Sequence, residues 1–281
     1  MTYKPDIKIL LATYNGQEYL AEQIDSILAQ SNQNWQLLVR DDGSKDNTVR
    51  ILENYAKRLP DKIRLIANNG SRLGANLNFG KLLEHADTEY VMFSDQDDVW
   101  LPNKIELTLN AMKSAEQIYP DKPILIHTDL QVADSGLNTI ADSLWVYQKL
   151  FPEAGNNLHR IMAQNVVTGC TVMINKKAMT VSLPIPPEAI MYDWWLALNV
   201  CRHGKIIYVS IPSVLYRQHS GNQVGAQRAR KINVVHFLKK LCNIKKLLSV
   251  HYQMLKKFDP HASFWLLLFN KTIVKIAQRF R

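Results

Sequence analysis

The chain has 281 residues, 47 % of them hydrophobic, enough to bury a substantial core in one large domain with an appendage or in two small ones. Its formal charge of +9 suggests a nucleic-acid partner, but from Arg228 onward 13 Lys and Arg face the single Asp259, which leaves 21 basic and 24 acidic residues over 1–227. The excess positive charge lies in the tail, no nucleic-acid-binding pattern is present, and nucleic acid is excluded as a partner.

The first 130 residues alternate short apolar runs with helical patterns, the signature of βαβ units and a mainly parallel sheet. "IKILLA" (7–12) predicts the first strand, and a helix follows over Glu18–Gln30 with Tyr19, Leu20, Ile24, Ile27 and Leu28 on one face. "QLLVR" (36–40) is the second strand. It runs into the turn "DDGSKDNT", where Asp46 or Asn47 can cap a helix that continues to about Lys57. "IRLIA" (63–67) and "YVMF" (90–93) are the third and fourth strands, separated by a Gly-rich loop and a helix through His85. The region 124–227 is less regular, with strands at "PILIHTDLQVAD" and "TGCTVMIN" and a helix over "MYDWWLALNVCRHG" after the break made by Pro184, Pro186 and Pro187.

The fourth strand ends in "SDQDDVWLP", which puts the carboxylates Asp95, Asp97 and Asp98 into four residues. They repel one another, and a hard cation, Mg²⁺ or Mn²⁺, shared with substrate phosphates would offset that. An acidic turn capping a helix near Asn103 is the other reading. Asp41 and Asp42 end the second strand, where a carboxylate can accept the imide N–H of a uracil or thymine that stacks on Tyr14; a tight turn with helix capping reads equally well. "NNGSRLGANLNFG" (68–80) offers Arg72 and a Gly ahead of a helix, suited to phosphate or ribose, yet it matches neither the Walker nor the dinucleotide fingerprint. In "MYDWW" (191–195), Asp193 beside Trp194 and Trp195 is either a helix cap or a general base facing a sugar. His219 in "YRQHSGN" is either structural or a metal or phosphate contact.

In this order the motifs, from "LLATYNG" through "LVRDDGSKDNT", "MFSDQDDVWLPNKI" and "MYDWW" to "YRQHSGN", closely resemble family 2 glycosyltransferases over about residues 5–227. Within that family the chain looks like the bacterial rhamnosyltransferases of O-antigen and exopolysaccharide assembly. The resemblance implies the α/β GT-A fold, a Rossmann-like, mainly parallel sheet flanked by helices. A catalytic domain would occupy 1–227 and a helical extension 228–281. It further implies that Thr13, Tyr14 and Asp42 hold the base with Asp41 beside them in the nucleotide-sugar site, Arg72 the ribose or diphosphate, and Asp97 the ribose. Asp95, Asp97, Asp98 and His219 would surround the metal, Asp193 would be the base, and Trp194 and Trp195 would meet the acceptor. Tyr192 stands where the family often shows a Glu. The implied reaction is an inverting single displacement from a dTDP- or UDP-sugar, first of all dTDP-rhamnose, to a lipid-linked oligosaccharide. A sugar-phosphate nucleotidyltransferase is the alternative class, but its Gly-rich, basic loop after the first strand is replaced here by "ATYNGQEY".

Cys170, Cys201 and Cys242 are far apart with no CxxC pair, which fits a reducing compartment, and neither a signal peptide nor a bilayer-spanning run is present. The tail sets Val234, Phe237, Leu238, Leu241, Ile244 and Leu248 at helical spacing among lysines, and 262–280 adds Phe264, Trp265 and a Leu run. Two readings stand: peripheral attachment to an anionic membrane at the cytoplasmic face, or helices that fold back over the catalytic domain.

Overall fold

The computed structural model describes residues 5–70, 72–222, 225–226 and 248–279. Strands β1 (Ile7–Thr13), β2 (Trp35–Asp41), β3 (Ile63–Leu65) and β4 (Tyr90–Ser94) run parallel in the spatial order β3-β2-β1-β4. They read as near-continuous apolar runs because helices cover both faces of the sheet. Successive side chains go to opposite faces: Ile9 and Leu11 of β1 join one core while Leu10 joins the other. Helices α1 (Leu20–Leu28) and α2 (Thr48–Arg58) cover the first face, and α3 (Gly74–Glu84) covers the second. Asn47 stands at the N-cap of α2 without a side-chain cap bond, and the Asp46 carboxylate before it accepts the Thr48 N–H at 3.0 Å. Because β2 lies on one side of β1 and β4 on the other, the carboxyl ends of β1 and β4 flank the switch point where ligands bind in open α/β sheets.

Beyond β4 the sheet becomes mixed. β8 (Val172–Asn175) is antiparallel to β4 and to β6 (Ile124–Ala133), and β9 (Lys205–Arg217) runs parallel to β6. The short β5 (Val99–Trp100) closes the far edge antiparallel to β9, and β7 (Thr139–Ala141) pairs with β6. The chain therefore leaves β4 mid-sheet and, after residues 95–98, rejoins the sheet at its opposite edge. β9 is absent from the sequence expectation because Pro212 interrupts its run. The structure accommodates Pro212 opposite Asp129 at a register irregularity, where the ladder needs no N–H donor. "TGC" at 168–170 is likewise not strand: residues 169–171 form a single 3₁₀ turn before β8.

The remaining helices are α4 (Lys104–Ile118), α5 (Leu144–Gln148), α6 (Leu158–Ala163), α7 (Lys176–Ser182), α8 (Tyr192–His203), α9 (248–258) and α10 (Phe264–Arg279). The three short ones each carry a side-chain N-cap, from Ser143, Asn157 and Asn175. α9 and α10 pack on the body, where Met254, Leu255, Phe258 and Leu267 join the core built by α3, α6 and α8. Arg202 of α8 donates to the Phe258 carbonyl at 3.1 Å and pairs with Asp259 at 3.0 Å. The amphipathic pattern expected at 232–250 lies, as far as residue 247, outside the described residues. No described helix is long and apolar enough to cross a membrane.

Candidate active site

A cavity of about 510 Å³ opens at the carboxyl ends of β1 and β4. Thr13, Tyr14, Asp42, Arg72, Asp95, Asp97, Asp193 and Trp194 line it. At one end, the two carboxylates that finish β2 divide the work. Asp41 is absorbed by its own turn, accepting the Thr13 hydroxyl at 2.9 Å and the Gly43 and Ser44 N–H groups at 2.9 and 2.8 Å, and it does not line the cavity. Asp42 does, although it is only 2 % exposed. It accepts the Leu73 and Gly74 N–H groups at 2.8 and 2.7 Å and pairs with Arg40 at 3.2 Å, which fixes the start of α3. A carboxylate has about four acceptor positions, so Asp42 keeps capacity for a ligand N–H. The Arg72 guanidinium lies 3.9 Å above the Tyr14 ring centre, an ordinary cation–π stack.

Gln96, the middle residue of D-x-D, joins the β1 and β4 loops. Its side chain accepts the Tyr14 N–H at 2.8 Å and donates to the Tyr14 carbonyl at 3.0 Å. Gly16 makes room for it, since a Cβ there would stand 2.3 Å from Gln96 Oε1. Nothing in the residue type announces this role; only its place inside the carboxylate motif does.

The pairing of β5 with the end of β9 delivers His219 to the acidic turn. Its Nε2 lies 2.8 Å from Asp97 Oδ2, with both side chains partly exposed, at 17 % and 16 %. Arg217 fastens the turn from below. Its backbone N–H donates to Asp98 Oδ1 at 3.2 Å, its Nε to the Asp97 carbonyl at 2.9 Å, and its guanidinium also pairs with Glu22. Asp98 is fully buried. One ligand atom each from Asp95, Asp98 and Cys170 lies within 4.8 Å of the others. Burial, then Asp97 and Asp95, pushes the Asp98 carboxyl well above its usual range, and burial also pushes the Cys170 thiol up. Of that trio, Asp98 and Cys170 are closed off from solvent, while Asp95 lines the cavity. Asp97, which lines the cavity, and His219, in contact with its carboxylate, offer the oxygen and imidazole donors that suit Mn²⁺ and tolerate Mg²⁺, with Asp95 beside them.

At the other end stands Asp193 in the first turn of α8, 7 % exposed. Its Oδ2 accepts the Gly169 N–H at 2.9 Å and its Oδ1 accepts the Asn165 amide at 3.1 Å. Burial raises its pKa to about 7, against the pull of the Gly169, Trp194 and Asn165 donors. Asn165 is itself held by two bonds to Val167, at 2.8 and 3.0 Å. At Gly169 a Cβ would lie 2.0 Å from the Tyr192 hydroxyl, so only glycine lets this N–H reach the carboxylate. The Tyr192 ring packs on Phe79 and Phe93, filling the place where the sequence lacks a Glu. Trp194 lines the cavity and donates to the Ile161 carbonyl at 2.7 Å. Trp195 is turned into the core against Phe258, with its indole donating to the Ser182 carbonyl at 2.9 Å. The rotation of about 100° between adjacent helical residues separates what the sequence grouped.

The sequence model described as Glycosyl transferase family 2 matches residues 8–126. The dTDP-rhamnosyl transferase RfbG of Shigella flexneri is 28 % identical over 230 residues, covering 77 % of this chain and 74 % of that protein. The putative teichuronic acid biosynthesis glycosyltransferase TuaG of Bacillus subtilis is 34 % identical over 210 residues, 73 % of this chain and 76 % of its own. Among solved structures, the mannosyltransferase PcManGT of Pyrobaculum calidifontis, in complex with GDP-Man and Mn²⁺, superposes with a TM-score of 0.64 at 16 % identity, covering 99 % of this chain and 72 % of that one. The matched segment runs from β1 through the acidic turn into β6, the half of the molecule that builds the Tyr14 and Asp97 walls, and with the TuaG likeness extending well beyond it, the chain belongs to glycosyl transferase family 2.

Proposed function

We propose that this chain transfers a sugar, rhamnose from dTDP-rhamnose in the first instance, to a hydroxyl of a lipid-linked saccharide at the cytoplasmic face of the cell membrane, with inversion at the anomeric carbon. The observation that carries the reading is a single cavity with an aromatic ring, a carboxylate and a guanidinium (Tyr14, Asp42, Arg72) at one end and a buried carboxylate of raised pKa, Asp193, at the other. The relative named a dTDP-rhamnosyl transferase supports the donor.

In this reading the base stacks on Tyr14 and gives its imide N–H to Asp42, while Arg72 leaves the ring face to meet ribose or diphosphate. Thr13 and Asp41 hold the turn that presents Asp42. Asp193 takes the proton of the acceptor hydroxyl as that oxygen attacks the anomeric carbon, and the bond from that carbon to the diphosphate oxygen breaks. Trp194 flanks the acceptor, and Asn165 and Gly169 aim the carboxylate. Asp97 and His219 would hold a Mg²⁺ or Mn²⁺ ion, which when bound offsets the charge on the departing diphosphate.

The test is a panel of nucleotide-sugars assayed for donor hydrolysis and for transfer to saccharide acceptors, with Mn²⁺, with Mg²⁺ and with chelator. Nucleoside diphosphate should be released from dTDP-rhamnose, and chelator or Asp97→Asn should abolish that release. Pyrophosphate formed from a sugar 1-phosphate and a nucleoside triphosphate, without any donor turnover, would show the nucleotidyl transfer class instead.

A further inference from the structure

The outer side of α10 is apolar and bare. Trp265 is 77 % exposed, Phe269 62 %, Ile276 50 %, and Leu266 and Ile273 40 % each, on positions that fall along one stripe of the helix. The inner side is occupied: Leu267 is in the core, Lys271 donates to the Ala163 carbonyl at 2.9 Å, and Gln278 donates to the Lys149 carbonyl at 3.0 Å. Contiguous exposed apolar surface of this kind marks an interaction site. Charge decides what covers it. α10 contains no acidic residue, its Lys275 is exposed, and the only acid among residues 248–279 is Asp259, already paired with Arg202. The segment 227–247 carries seven Lys and Arg and no acid, and a second copy would bring an equally acid-free, basic helix, so neither offers α10 an opposite charge. A surface negative at its face and apolar just beneath complements both properties at once.

We infer that the outward stripe of α10 docks on an anionic bilayer, with Trp265, Phe269 and Ile276 inserted at headgroup depth and Lys275 among the lipid phosphates. The opposite side of the same helix reaches the site: Lys271 lies 6.0 Å over the Trp194 ring, which lines the cavity. A docked α10 thus brings the acceptor end of the cavity to the plane in which a lipid-linked saccharide is presented. The docking gains its purpose from the acceptor class proposed above but is measurable without it. Of the tail, it assigns the membrane contact to α10 and withdraws it from the apolar side of α9, whose Met254, Leu255 and Phe258 are in the core.

Flotation of the full chain with phosphatidylglycerol-rich vesicles, against phosphatidylcholine vesicles, tests it. The parent should float with the anionic vesicles and be released by salt. Trp265→Ser/Phe269→Ser/Ile276→Ser should lose about tenfold or more of that binding, and Lys275→Glu about fivefold. In both variants the thermal midpoint and transfer to a soluble saccharide acceptor should stay at parental values. The docking is overturned if the parent ignores anionic vesicles, if the triple variant floats as well as the parent, or if the triple substitution converts a dimer into a monomer. Vesicle binding without any sugar transfer would leave the docking standing and bring down the function proposed above; transfer to soluble acceptors without vesicle binding would do the reverse.

Discussion

Asp193 shows how much a single side chain can mean and how little of that is visible in its sequence context. "MYDWW" reads equally as a helix start or as a base, because an acid in a first turn is favoured by the helix dipole in either case. The environment supports the base proposed above, through burial that lifts the pKa to about 7 and two donors that aim the carboxylate. Asp193→Asn should therefore lower kcat by roughly 10²-fold or more while leaving donor affinity near that of the parent, since a lost general base acts on the chemical step. The pH dependence follows with a definite sign. The base works ionised, so kcat should rise as pH climbs through about 7 and fall below it. Asn165→Ala removes a donor that stabilises the ionised form, so its rising limb should move to higher pH. An unshifted profile in that variant would mean that Asn165 has no hold on the carboxylate. Asn165 had no signal of its own in the sequence, being one amide in an apolar stretch, and Asp41 sent a misleading one, since its carboxylate serves its own turn.

The βαβ half could be read from the sequence because periodicity, turn residues and strand ends all agreed there; β1, β2 and β4 lie within a residue or so of their expected bounds. The mixed half could not. β9 is thirteen residues long, with four buried, six half-buried and three exposed residues in no regular alternation, and it contains a proline, so nothing announces it. Missing β9 hid the reason why His219 meets Asp97, because only the pairing of β5 with the end of β9 carries "YRQHSGN" to the acidic turn. The loop elements carry a sharper test. In Gly16→Ala the new methyl must displace the Gln96 amide, breaking its two bonds to Tyr14. At about 1 kcal/mol net per bond, the two lost bonds should weaken donor affinity about thirtyfold. Isothermal titration with the nucleoside diphosphate checks this, and Gln96→Ala should show the same loss without any steric insult. Parental affinity in both would remove Gln96 from donor recognition.

Charge counting across the whole chain finds the basic excess beyond residue 227, but net charge says nothing about where apolar faces go, and α9 and α10 are built into the core. Removing residues 248–281 deletes Met254, Leu255, Phe258 and Leu267 from it. At about 1.5–3 kcal/mol per buried side chain this is about 6–12 kcal/mol, comparable with the whole stability of a typical domain. A chain ending at 247 should therefore fail to give a cooperative melt, and a sharp parental transition would show the tail to be dispensable. The route from β4 to β5 has a further consequence, in time instead of space. Val99 pairs with Leu215, so the acidic turn reaches its final shape only after more than a hundred intervening residues have been placed. Contacts so distant in sequence carry the largest loop-closure cost before they return any stability. On dilution from denaturant, helical circular dichroism should recover first and the capacity to bind nucleotide in a later phase, with the β1–β4 framework standing while its ligand site is still unfinished.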